Sequence, residues 1–359
     1  MPSEFPKKAV HGGKILEMKK RFGDSLLDVS ASMNPFVPEF TCAYNHDDLA
    51  VYPDDSYTEL KEKIARTFNR NIEEICVGNG SAEIIRVFCK VTDGKTCRID
   101  MPTFSEYGLS ARLAGKTVIQ NAKADIRFIC NPNNPTGYLY TRKEMNRIRD
   151  LVKKHDLFLF SDEVYREFIY TGSPYISACH LEGIEENVVL IDSVSKRYSE
   201  CGIRIGALIT KNKKLRAAVM KFCQARLSPP LLGQIAAEAS LDAPREYAIH
   251  TYEEYIERRN CLVDELNKID GVFSPIPMGA FYTIARLPID DSDKFCEWCL
   301  REFEYDGATV MLAPASGFYS EPGLGKDEVR IAYILEKEEL KKAIRILGKA
   351  IEEYNKIKK

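Results

Sequence analysis

Apolar residues recur at two spacings along this chain, and the alternation between them predicts the architecture. Within 57–69, Leu60, Ile64 and Phe68 fall on one face at helical spacing. Ile75-Cys76-Val77 is a short apolar run that leads into Gly78-Asn79-Gly80-Ser81, and 82–90 returns to a helical pattern. Looser versions of this strand, turn and helix order follow. The stretches 96–100, 117–120, 127–130, 157–161, 188–192 and 207–210 read as strands, and helical stretches such as 142–155 separate most of them. Strands alternating with helices predict an α/β fold with a mostly parallel sheet of the seven-stranded type, covered on both faces.

Past Ser228-Pro229-Pro230 the character changes. The stretches 231–241 and 252–269 read as helices, the second long and charged. Gly279-Ala280-Phe281-Tyr282-Thr283-Ile284, a helix near 291–304, Glu328-Val329-Arg330-Ile331-Ala332-Tyr333 and a final amphipathic helix over 337–354 follow. This predicts a large domain at 46–245 and a smaller α+β domain at 246–359, to which an N-terminal arm at 1–45 contributes.

Composition narrows the function without choosing it. Of the 359 residues, 45% are hydrophobic and 29% charged, as expected of a soluble globular protein. A formal net charge of −2 provides no global field for nucleic acid or an anionic membrane, so neither is an expected partner. The N-terminus has no apolar run after its charges, which predicts no signal peptide, and no stretch is long and apolar enough to span a membrane. Eleven scattered cysteines suit free thiols in a reducing cytoplasm. Cys296 and Cys299 form a Cys-x-x-Cys with no second pair at zinc-like spacing, so they read as buried helix thiols and no metal site is expected.

The chemistry sits at strand ends. Lys196, in Asp192-Ser193-Val194-Ser195-Lys196-Arg197, follows an apolar strand, and a partly desolvated lysine there can act as a nucleophile. Asp162 ends the run Leu157-Phe158-Leu159-Phe160, so its carboxylate points into the crevice where such sheets bind ligands. Tyr165 adds a phenol and Asn134, in Asn131-Pro132-Asn133-Asn134-Pro135-Thr136-Gly137, an amide. Gly80-Ser81-Ala82 opens a helix whose free N–H groups suit an anion, with Ser193, Ser195 and Arg204 able to complete the cradle. Phe104 is placed to stack on a flat ring. An amine, a ring-nitrogen carboxylate, a phenol, an amide and a phosphate cradle are the set pyridoxal 5'-phosphate requires.

Asn133-Asn134-Pro135-Thr136-Gly137, Asp162-Glu163-Val164-Tyr165, Ser193-Val194-Ser195-Lys196 and Gly202-Ile203-Arg204-Ile205-Gly206 together resemble the fold-type I enzymes of the class I/II aminotransferase group. The resemblance implies a Schiff base on Lys196, with Asp162 on the ring nitrogen and Asn134 and Tyr165 on the 3'-oxygen. It implies a phosphate held by Ser81, Ala82, Ser193, Ser195 and Arg204. Tyr52, in Val51-Tyr52-Pro53, matches a tyrosine that reaches the phosphate of a neighbouring subunit, which implies a homodimer with shared sites. Arg330 matches the arginine that grips the substrate α-carboxylate.

Two resemblances pull the reaction apart. His11-Gly12-Gly13, 27–35 and 52–57 are similar to threonine-phosphate decarboxylases, with histidinol-phosphate aminotransferases a neighbouring branch. There His11 would bind a substrate phosphate, and Asn34 would face substrate. Ala225-Arg226-Leu227-Ser228-Pro229-Pro230, Gly279-Ala280-Phe281-Tyr282 and 313–319 are similar to aspartate-type aminotransferases. The decarboxylases carry a further arginine near a position that here reads Met311-Leu312-Ala313. The expectation is therefore an aminotransferase moving an amino group between an amino acid and a 2-oxo acid. A threonine-phosphate or serine-phosphate decarboxylase, or a histidinol-phosphate aminotransferase, is the alternative.

Overall fold

The apolar runs assemble into one seven-stranded sheet in a computed structural model that describes residues 15–120, 123–172 and 174–357. The chain begins α1 (Ile15–Phe22), β1 (Leu26–Asp28), α2 (Thr58–Phe68), β2 (Ile75–Gly78), α3 (Ser81–Val91), β3 (Thr96–Ile99), α4 (Glu106–Leu113) and β4 (Thr117–Ile119). It continues through β5 (Ile126–Cys130), α5 (Arg142–His155), β6 (Phe158–Asp162), β7 (Val188–Ser193), α6 (Val194–Arg197), β8 (Gly206–Ile209), α7 (Lys213–Ala225) and α8 (Leu231–Leu241). The remainder comprises α9 (Arg245–Leu266), β9 (Tyr282–Arg286), α10 (Ser292–Arg301), β10 (Thr309–Met311), β11 (Ala313–Pro314), β12 (Glu328–Ala332) and α11 (Lys337–Ile357).

The strand order is β2-β8-β7-β6-β5-β3-β4, and only β8 runs against its neighbours. All residues of β5 and β7 are buried, which is why their sequences read as continuous apolar runs rather than alternating ones. The register pairs Cys130 with Asp162 and Asp162 with Ile191, so β5, β6 and β7 release their following loops along one edge.

A second core lies under the antiparallel sheet β11-β12-β9. β1 pairs in parallel with β10, Leu26 opposite Thr309 and Asp28 opposite Met311. Leu27 and Val29 are buried there with Phe281, Val310, Ile331 and Leu347. Burying each such side chain stabilises by roughly 1.5–3 kcal/mol, enough to pin the backbone that follows at 30–34.

Several elements differ from the sequence expectation. α9 begins at Arg245, seven residues before the expected start, because Tyr247 and Thr251 turn inward in a stretch whose pattern is mostly polar. α4 buries Tyr107, Gly108, Ser110 and Ala111, residues too small or polar to show apolar periodicity. β1 and β10 are only three residues long and give no signal of their own. α7 is a further addition, and its buried Leu215, Val219 and Cys223 do follow helical spacing. Cys296 and Cys299 are buried in α10, where burial raises both thiol pKa values.

Candidate active site

Lys196, Asp162, Asn134 and Arg330 come together beside the C-terminal ends of β5, β6 and β7, where open α/β sheets bind ligands. Lys196 sits in α6, one short turn after β7, and its Nζ donates to the Ser32 carbonyl at 2.6 Å. The side chain is half-buried.

Asp162 ends β6 and is 4% exposed. Its Oδ2 accepts from the Tyr107 hydroxyl at 2.7 Å, and its Oδ1 accepts from the Val164 N–H at 3.2 Å. Burial pushes its pKa from 3.8 to about 6; those two hydrogen bonds pull it down, while Asp192 and Glu163 push it further up. No ion pair joins this carboxylate to a cation among the described residues. It is a buried acid that lacks a positive partner.

Arg330, in β12, is 3% exposed. Its Nη1 donates to Asn134 Oδ1 at 3.0 Å and its Nη2 to the Ser30 carbonyl at 2.7 Å. The guanidinium lies 4.4 Å from the ring centre of Tyr282 and 5.2 Å from that of Phe318. These contacts fix its plane. Its Nε is buried and has no hydrogen-bond partner. Tyr165 pairs its hydroxyl with that of Tyr282 at 2.8 Å, and burial, with the Tyr282 hydroxyl beside it, holds its phenol well above the ordinary range.

A cradle forms where α3 begins. Gly80 has φ +80°, a conformation that L side chains rarely adopt, and a Cβ there would collide with Arg204 Nη2. A Cβ on Gly206 would lie 2.5 Å from the Ser81 N–H nitrogen. Both positions therefore admit close approach only without a side chain. Arg204 itself has φ 61° and donates Nη1 to the Cys201 carbonyl at 2.8 Å. Ser193 Oγ lies 2.9 Å from Ser195 Oγ, and Ser81 and Ala82 head the 11-residue helix α3. An N-terminal helix turn, two hydroxyls and a guanidinium make an anion site.

The remaining expectations fare differently. Phe104 is half-buried and packs edge-on to Tyr107, with ring centres 5.6 Å apart. Asn34 is 1% exposed, and its amide is saturated: Nδ2 donates to the Arg197 carbonyl and the Tyr247 hydroxyl, and Oδ1 accepts from the Phe36 N–H and the Tyr255 hydroxyl. With four bonds made, nothing of it remains for a substrate, so the substrate-contact reading of Asn34 is corrected to a role in holding backbone. Tyr52 is 81% exposed and lies outside this protomer's pocket. His11 lies outside the described residues.

Sequence reading missed Tyr107, Tyr282 and the carbonyls of Ser30 and Ser32. Tyr107 stands three residues after Phe104, on the first turn of a helix that the apolar pattern does not reveal. The two carbonyls have no signal, since any residue supplies one.

The Aminotransferase class I and II family model matches residues 28–347, and the chain belongs to that family. An aspartate aminotransferase from Bacillus subtilis (strain 168) is 26% identical over 341 residues, 84% of this chain and 84% of its own length. Aromatic-amino-acid aminotransferase 2 from Thermococcus litoralis is 31% identical over 261 residues, 71% of this chain and 64% of its own. An aspartate aminotransferase structure from Thermotoga maritima matches with a TM-score of 0.77 and 26% identity, covering 94% of each chain. The chain is a pyridoxal 5'-phosphate-dependent aminotransferase, a transferase of amino groups between an amino acid and a 2-oxo acid.

The residues present fit that cofactor. A buried carboxylate without a cation suits a protonated pyridine nitrogen, and the cradle that a Cβ on Gly80 would fill suits a phosphate.

Proposed function

We propose that this aminotransferase divides its work among the residues gathered around Lys196 and acts as a homodimer. Lys196, whose Nζ is half-buried against the Ser32 carbonyl, would hold the cofactor and would be the base that moves the substrate Cα proton. Asp162 keeps the ring nitrogen protonated, and Tyr107 and the Val164 N–H hold that carboxylate in line. Pyridoxal 5'-phosphate supplies the electron sink that makes the Cα proton removable. Asn134 and Tyr165 would hold the ring hydroxyl, their side chains positioned by Arg330 and Tyr282. Ser81, Ala82, Ser193, Ser195 and Arg204 take the phosphate, and Phe104 covers one ring face.

Arg330 receives the substrate α-carboxylate. Its plane is already set by Asn134, the Ser30 carbonyl and two rings, so little rotamer freedom is lost on binding.

The dimer is supported by the segment 37–52, where Val37, Tyr44, Leu49, Val51 and Tyr52 all expose large apolar side chains. A monomer gains nothing from exposing five such groups in one stretch. Tyr52 would then complete the phosphate site of the neighbouring subunit.

The observation that carries this reading is Asp162: a buried, cation-less carboxylate at the end of β6, beside the strand β7 that leads into half-buried Lys196. The test is single-substrate mixing of the cofactor-loaded enzyme with L-aspartate, L-phenylalanine or O-phospho-L-threonine. Release of a 2-oxo acid, with the cofactor left in its amine form, is the expected result. Carbon dioxide and an amine from O-phospho-L-threonine would replace this reading with a decarboxylase.

A further inference from the structure

A second cleft opens on the other side of Arg197, between the end of α2, Glu167-Phe168 and the first two turns of α9. Its volume is about 190 Å³. An apolar cavity of ~150 Å³ accepts benzene, so this one has room for a single ring with a short tail.

Its polar groups are arranged for a ligand. Arg197 is 8% exposed; its Nη2 pairs with Asp192 at 2.9 Å and Glu167 at 3.3 Å, while its buried Nε has no partner. Thr251, 4% exposed, lines the same cleft with its hydroxyl beside that of Tyr247. α9 is 22 residues long, and its N-cap, Pro244, provides no side-chain cap: the Tyr247 N–H turns back to the Pro244 carbonyl, and the Arg245 and Glu246 N–H groups start the helix without a side-chain acceptor. Arg245, the first residue of that helix, lines the cleft and makes no ion pair among the described residues. N–H groups at an uncapped helix start, the Arg245 guanidinium and the unpartnered Arg197 Nε call for a carboxylate. Glu167, with a side chain 46% exposed, offers the opposite charge within the same cleft. Tyr198, Tyr247 and Tyr252 supply the walls.

We propose that this cleft is a second, non-catalytic site for a free aromatic amino acid. The carboxylate is taken by Arg245, the start of α9 and the Arg197–Thr251 floor, the ammonium by Glu167, and the ring by the tyrosines. The site touches the catalytic one through the Tyr247 hydroxyl, which also accepts from Asn34 Nδ2. The Arg197 carbonyl, one residue from Lys196, accepts from the Tyr247 hydroxyl at 2.7 Å, and Tyr247 is itself a wall of the cleft.

The probe is α-methyl-L-phenylalanine, a zwitterion with an aromatic ring and no Cα proton to lose. Titration calorimetry is run on the cofactor-loaded enzyme and on three variants. Ala248→Trp fills the cleft from an exposed position on α9, Arg245→Glu reverses the charge at its mouth, and Arg330→Ala disables the catalytic pocket. Expected are one binding event that Ala248→Trp removes and Arg245→Glu weakens at least tenfold, both variants keeping wild-type melting temperature and turnover, and its persistence in Arg330→Ala. Binding untouched by both cleft substitutions, or no binding outside the Arg330 pocket, overturns the proposal. Because the readout is binding, it stands or falls independently of which amino acid the enzyme transaminates.

Discussion

Replacing Asp162 by asparagine removes a charge that the folded apo-protein holds at a cost. The carboxylate has a pKa of about 6 in the fold against an ordinary 3.8. At ~1.4 kcal/mol per pH unit, the ionised group opposes folding by about 3 kcal/mol at pH 8. The sign follows from proton counting. Between pH 3.8 and about 6 the folded form binds more protons at this site than the unfolded one, so its stability falls as pH rises through that window. The amide introduced by Asp162→Asn cannot ionise, so in urea unfolding of the apo-protein the variant is the more stable at pH 8, by about 3 kcal/mol. That gap narrows to about half at pH 5, because there the wild-type carboxyl is mostly protonated in the fold. Activity moves the other way: without the anion the ring nitrogen loses its proton, and turnover falls by orders of magnitude. A stability gap that does not change with pH would show that Asp162 is not the strained acid described above. A variant with near-normal turnover would refute its pairing with the ring.

Three further outcomes follow from the same geometry. Lys196→Ala should lose the visible absorbance of the bound cofactor while the phosphate cradle still retains it, as measured by equilibrium dialysis; an unchanged spectrum would identify another lysine as the anchor. Tyr107→Phe deletes one hydrogen bond to Asp162, worth about 1–3 kcal/mol for a charged acceptor, so cofactor affinity should drop ten- to a hundredfold with the fold intact; unaltered affinity would remove Tyr107 from the site. Gly80→Ala forces a Cβ onto Arg204 Nη2 at a φ of +80°, and should weaken cofactor binding, read by the same dialysis, more than Gly172→Ala, a positive-φ control with open space around it; equal effects would leave the cradle without a role.

The large sheet was legible because its inner strands are buried on both faces and so announce themselves as apolar runs. The residues gathered at the strand ends were legible for a related reason: Asp162, Lys196 and Asn134 interrupt those runs with polar groups at the edge where parallel strands release their loops. What escaped was whatever depends on distant backbone. No pattern in 26–34 shows that Leu27 packs beside Ile331, or that Ser32 offers its carbonyl to Lys196. Asn34 was misread for the opposite reason, since a polar residue beside catalytic ones invites a chemical role, yet its amide is consumed by four internal bonds.

The strap at 30–34 also sets a schedule. Arg330 is steadied by the Ser30 carbonyl, 300 residues away in sequence, and Lys196 by that of Ser32, 164 residues away. At ~5–20 residues per second on a ribosome, the earliest of these groups waits about 15–60 s for the last to be made. All seven strands of the large sheet, with Asp162, Lys196 and Arg204, precede residue 210 and are made well before then. A chain clipped before Arg330 has Asn134 and the Ser30 carbonyl but not the guanidinium that they brace, so that bracing forms only when segments 300 residues apart have met.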